Sequence, residues 1–147
     1  MSFKYKFEKL LTIKENEKDM VIGEYNEAVH KFETAATKLY ELLKQKEDVE
    51  AQQNSQFQSG LYIGQIQSQQ RFMLLLEKSI GESQLQVAKT RKNMELKQQL
   101  LLEKNIEVRK YEKIREKARD AYIQLEKAEE NKLMDEISIQ QFMYRGN

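Results

Sequence analysis

Apolar residues recur at alternating steps of four and three from Phe7 to Val49, and again from Met73 to Leu125. No other feature constrains the fold as tightly. In the first segment the series passes through Leu11, Val21, Ala28, Ala35 and Leu42, and ten of its thirteen positions are apolar. In the second it passes through Leu76, Ile80, Val87, Leu101 and Val108, and eleven of sixteen are apolar. An average step of 3.5 residues places every member on one stripe of an α-helix, the heptad seam of a coiled coil. Both segments are therefore expected to be long helices. The rest of the composition agrees. Charged residues are 33% of the chain and hydrophobic ones 39%, a balance that suits exposed helix faces better than a thick globule. There is no Pro to break a helix anywhere in the 147 residues.

The two seams are separated by an abrupt change. From Ala51 to Gln70 there is no charged residue, and eight of the twenty are Gln. Within it, Ser59-Gly60-Leu61-Tyr62-Ile63-Gly64 holds two of the five Gly, which reads as a connection between helices. The expected fold is all-α: two long helices in an antiparallel coiled-coil hairpin with an overhanging C-terminal helix. It forms a single domain over 1–147, with a first helix about 3–57, a bend about 58–64 and a second helix about 65–144. If the chain turns near residue 61, facing residues have numbers that add to about 122. Val49 then meets Met73, Leu42 meets Ile80, Ala35 meets Val87, Ala28 meets Met94, Val21 meets Leu101 and Leu11 meets Tyr111. One layer is poor, Lys18 opposite Lys104, and it is expected to turn its stems outward.

The same arithmetic sets Phe3 against residue 119, so roughly the last 28 residues have no internal partner. They carry Leu125, Leu133, Met134, Ile137, Ile139, Phe142 and Met143. As a helix this overhang would be about 40 Å long. Such a stripe is expected to dock into something, a second copy of the chain or a frayed tail being the alternatives.

Whole classes of function fall away. Zero Cys excludes disulfide scaffolds, thiol catalysis and thiolate metal sites, and the single His30 excludes a His triad or zinc cluster. No run is apolar enough to span a bilayer, no signal peptide is expected, and no Gly-rich phosphate loop is present. A net charge of +1 gives no global field for nucleic acid. The chain reads as soluble, cytoplasmic, non-enzymatic and without cofactor or metal. His30 falls on an outer helix face, as do Gly23 and Gly81, which nothing in the sequence explains. The basic stretch Lys110–Arg119 is expected to pair with itself through Glu107–Lys110, Glu112–Arg115 and Glu116–Arg119.

Three stretches carry a resemblance. The opening, Phe3-Lys4-Tyr5-Lys6-Phe7-Glu8-Lys9-Leu10-Leu11-Thr12-Ile13-Lys14, resembles that of the FliJ family of flagellar export proteins. So do Gln69-Gln70-Arg71-Phe72 with Leu76-Glu77-Lys78, and the end, Met134-Asp135-Glu136-Ile137-Ser138-Ile139-Gln140-Gln141-Phe142. The likeness covers the whole chain. It implies a two-helix antiparallel coiled coil similar to the central γ-subunit stalk of rotary ATP synthases. Its joined termini would enter the ring of the flagellar export ATPase FliI, and its bend-proximal half would contact the cytoplasmic region of the gate protein FlhA. It would promote ring assembly, couple the ring to the gate and assist cycling of export chaperones.

Carried onto this chain, the gate contact implies Leu42, Val49, Phe72 and Leu76. The end placed in the ring implies Phe3, Phe7, Leu10, Leu133, Ile137, Ile139 and Phe142. The implied location is cytoplasmic, peripheral to the inner face of the cell membrane, with no membrane insertion. The alternative function is a coiled-coil stalk or export chaperone of a virulence type III secretion system.

Overall fold

A computed structural model describes residues 3–60 and 62–145. Leu61, in the expected bend, lies outside the described residues. The chain forms two helices and no strand among the described residues: α1, Glu8–Ser59, and α2, Ile63–Arg145. They pack against each other in the antiparallel hairpin that the seams predict.

The helix ends have local causes. The first helix begins at Glu8, five residues later than expected. Its acidic side chain favours the positive end of the helix dipole, and the Glu8 amide donates to the Tyr5 carbonyl at 3.2 Å. It ends at Ser59 because Gly60 takes a φ of +82°, the left-handed conformation in which glycine commonly closes a helix. At the start of α2 the Gln65 side-chain oxygen accepts a hydrogen bond from the Tyr62 amide at 3.4 Å. This is one half of a capping box, with Gln65 three residues after the cap.

Contacts divide the chain into two compact units, one of Met20–Leu102 and one of Met1–Asp19 with Glu103–Asn147. In the first, the buried residues are Val21, Ala28, Leu76, Ile80, Ser83 and Val87. Glu24 meets Lys97 at 2.9 Å, and Lys46 meets Glu77 at 3.9 Å. The Arg91 guanidinium lies 5.5 Å from the Phe32 ring centroid. Near the bend the amides of Gln56 and Gln69 are joined by a hydrogen bond.

In the second unit Leu11 and Val108 are buried, Leu11 to 1% exposure. Here Lys14 meets Glu107 at 3.5 Å, Lys104 meets Glu17 at 3.2 Å, and Arg115 meets Glu8 at 3.5 Å. All these residue pairs add to between 121 and 125, the register expected from the seam. Every buried residue in either unit is a seam position. Of the seam positions themselves, Phe7 and Leu125, at the two ends, are exposed.

In the layer expected to be poor, Lys18 opposite Lys104, Lys104 is paired with Glu17, whereas Lys18 makes no ion pair among the described residues. Lys14 and Lys104 occupy the seam, and each bonds to both Glu17 and Glu107, at distances from 3.2 to 3.7 Å. Each helix contributes a Lys followed three residues later by a Glu, and antiparallel packing lays the two pairs across one another. Glu107 and then Glu17 hold the Lys14 ammonium above its ordinary pKa. The hydrogen bond from Lys104, more than any other interaction, holds the Glu17 carboxyl below its own.

Candidate partner-binding surfaces

Sites on a coiled coil are built from what the seam leaves outside. Beside the bend, the four residues that the resemblance implies for the gate contact divide by burial. Leu76 is buried at 6% exposure, and Leu42 and Val49 are half-buried in the seam. Phe72 is 44% exposed. The area open to a partner therefore lies on Phe72, with Leu42, Val49 and Leu76 holding the layers beneath it. Leu75, three residues on, extends the same side of α2 and is also exposed. Sequence reasoning missed it because it lies off the seam; its spacing from Phe72 was the available signal. Phe57, Tyr62 and Ile63 are further exposed apolar groups at the uncharged bend.

The terminal residues form a different surface. The Phe3 ring packs 5.5 Å from that of Tyr122, three residues beyond the expected position. Tyr5 donates its hydroxyl to the Tyr111 carbonyl at 3.2 Å, and its ring stands edge-on 5.8 Å from Phe7. Residues 3–7 are thus held along α2 by aromatic contacts instead of continuing α1. Leu10 is half-buried and Phe7 exposed. Phe3 and Tyr5, with Glu8, Arg115 and Arg119, border a cleft of about 930 Å³ that Lys4, Lys9 and Glu116 also line.

Beyond Glu126 every described residue of α2 is exposed, including Leu133, Ile137, Ile139 and Phe142. Leu133, Ile137 and Tyr144 fall along one line of the helix at 3.6 residues per turn, whereas Ile139, Phe142 and Met143 fall along a nearly opposite one. The seven terminal residues singled out from the sequence accordingly split into an anchored set, Phe3 with Leu10, and an open set on the overhang, with Phe7 between them. The Tyr122 phenol, next to the anchor, is pushed above its ordinary pKa chiefly by its hydrogen bond to Glu126.

The expected self-pairing of 110–119 does not form. Glu107 turns inward to Lys14 and Lys104, and Arg115 reaches across to Glu8. Bonds between the helices displace two of the three pairs expected along α2, Glu107–Lys110 and Glu112–Arg115. Among the described residues no group of three or more His, Asp or Glu side chains could hold a metal ion. No helix there is long and apolar enough to cross a membrane, and His30 is exposed on an outer face.

The sequence matches the model of the family described as Flagellar FliJ protein over residues 3–147. A Flagellar FliJ protein of Bacillus subtilis (strain 168) is 42% identical over 147 residues, spanning the whole of both chains. A solved structure of a putative YscO homolog from Chlamydia trachomatis aligns over 99% of this chain and 100% of its own. Its sequence identity is 20% and its TM-score 0.44.

Proposed function

Because the chain belongs to the flagellar FliJ family, a family of flagellar export components, we propose that it is a non-enzymatic coupling stalk of that apparatus. Its terminal end binds the export ATPase ring through Phe3, Phe7, Leu10, Leu133, Ile137, Ile139 and Phe142. Its bend-proximal end binds the export gate through Phe72, supported by Leu42, Val49 and Leu76. Between them it assists export chaperones, at the inner face of the cell membrane.

One observation carries the reading. The overhang is exposed along its whole described length beyond Glu126 and is apolar on two nearly opposite lines. A helix facing a single partner needs one apolar stripe, whereas a helix apolar on several sides is normally enclosed. The lumen of a ring provides such an enclosure.

Purified export ATPase and the cytoplasmic region of the gate test both ends separately. Deleting the residues from Ala128 onward is expected to abolish stimulation of ATP hydrolysis and leave gate binding intact. Phe72→Ala is expected to weaken gate binding by about 1–3 kcal/mol and leave ATPase stimulation unchanged. A truncated chain that stimulates hydrolysis as well as the full one refutes the assignment of the overhang.

A further inference from the structure

The terminal unit carries its charge in two blocks of opposite sign. Residues 109–119 contain six basic side chains, Arg109, Lys110, Lys113, Arg115, Lys117 and Arg119, against Glu112 and Glu116. Residues 126–136 contain five acidic ones, Glu126, Glu129, Glu130, Asp135 and Glu136, against Lys127 and Lys132. Each block is eleven residues long. The net charge of +1 for the whole chain conceals this separation.

Arg115 pairs with Glu8, but most of each block has no internal ion pair. Lys110, Lys113 and Lys117 are exposed on the side of α2 turned away from α1 and make no ion pair among the described residues. Glu129, Glu130, Asp135 and Glu136 are exposed and likewise make none.

We propose that in the free protein the overhang is covered by a second copy of this chain, through antiparallel, two-fold pairing of the C-terminal part of α2. The blocks lie symmetrically on either side of residue 122. A two-fold axis there sets the basic block of each copy along the acidic block of the other, twice in one interface. Parallel pairing would set like charge on like. The axis passes beside Ala121 and Leu125, one turn apart on one face of α2 and both exposed, so an apolar centre is flanked by complementary charge. The pairing needs no export partner. A ring that captured the overhang would have to displace the second copy.

The molar mass of the full chain in solution, by sedimentation or light scattering over a range of concentrations, tests this. A dimer is expected at about 50 mM salt and monomer at about 500 mM, where surface charge is strongly screened. Two triple variants sharpen the result: Lys110→Glu with Lys113→Glu and Lys117→Glu, and Glu129→Lys with Glu130→Lys and Glu136→Lys. Each alone is expected to raise the dissociation constant about tenfold or more. An equimolar mixture of the two is expected to form a heterodimer, because both contacts then regain opposite charge. Helicity measured alongside should be the same in all, since every altered position is exposed. The proposal is overturned by a wild-type chain that stays monomeric at low salt, by a dimer that survives either triple variant or loss of residues from Ala128 onward, or by failure of the mixture to associate. Monomeric chain that instead binds an acidic protein or a nucleic acid through Lys110, Lys113 and Lys117 overturns it too, assigning the basic block to that partner.

Discussion

Ser83→Ala is expected to make the protein more stable. Ser83 occupies a seam position, is 4% exposed, and its hydroxyl has no hydrogen-bond partner among the described residues. In the observed register its layer is completed by Leu39, which offers no acceptor. A buried hydroxyl left unpaired costs about 1–3 kcal/mol, and alanine removes that cost. Alanine also gains up to about 0.7 kcal/mol of helix propensity. Against this stands the void left by one oxygen, smaller than a methyl group and so worth less than about 1 kcal/mol. The balance is a gain of about 1–2 kcal/mol. With a urea m-value of about 2 kcal/mol/M, the unfolding midpoint should rise by roughly 0.5–1 M. Urea titration followed by helical circular dichroism measures it directly, provided the slope is unchanged. A midpoint that stays put or falls would mean that the hydroxyl is satisfied or is needed for packing, and the reasoning about this layer would fail.

The remaining expectations use the same titration. Leu11→Ala, at the most buried side chain, should cost about 3 kcal/mol, whereas Leu102→Ala, exposed on the outer face, should cost less than about 1; equal costs would refute the seam. Gly23→Ala and Gly81→Ala should each stabilise by about 0.5–1 kcal/mol, because an added Cβ meets nothing within 4 Å at either position. Gly60→Ala should destabilise by about 1–2 kcal/mol through its left-handed φ of +82°. The carboxyl of Glu17 is held below its ordinary value near 4.5, so its contribution is present above that value and lost as pH falls through the lowered one. Lys14 is held above its ordinary 10.5, so its contribution is present below that value and lost as pH rises through the raised one. Glu17→Gln should therefore narrow its stability gap to wild type on acidification; a gap that is constant down to pH 2 would count against the Lys104–Glu17 bond.

The seam was legible because heptad spacing and burial report the same physical fact. Val21, Ala28, Ile80 and Val87 repeat at the seam spacing, and they are buried. The bend was legible from Gly60, since only the turn needed a residue at ease in the left-handed region. Ionic detail was not. Spacing alone offered Glu107 to Lys110, but in three dimensions Glu107 has two ammonium groups nearer the seam, Lys14 and Lys104, at 3.5 and 3.7 Å. The partly screened pair between helices displaces the fully exposed pair along one helix. Partner surfaces were legible only in outline. Leu76 satisfies the family spacing and the seam at once, and its burial leaves Phe72 to face outward. Leu75 fits no heptad position in the core and drew no attention.

Residues 3–7 were expected to belong to the first helix, and their departure from it sets the length of the overhang. A helical residue 3 would end its contacts near position 119. Instead the extended segment carries the Phe3 ring to Tyr122 and ties the Tyr5 hydroxyl to the Tyr111 carbonyl. Tyr122 is therefore the last ring of α2 with an aromatic partner from the N-terminal segment, and the unsupported helix begins immediately after it. Removing the Phe3 ring would take the aromatic contact from Tyr122 and lengthen the stretch of α2 without N-terminal support by about one turn. It would also open the cleft whose wall Phe3 forms with Arg115 and Arg119. The aromatic spacing Phe3-x-Tyr5-x-Phe7 thus links residues 3–7 to the overhang, because it determines how much of α2 is left bare.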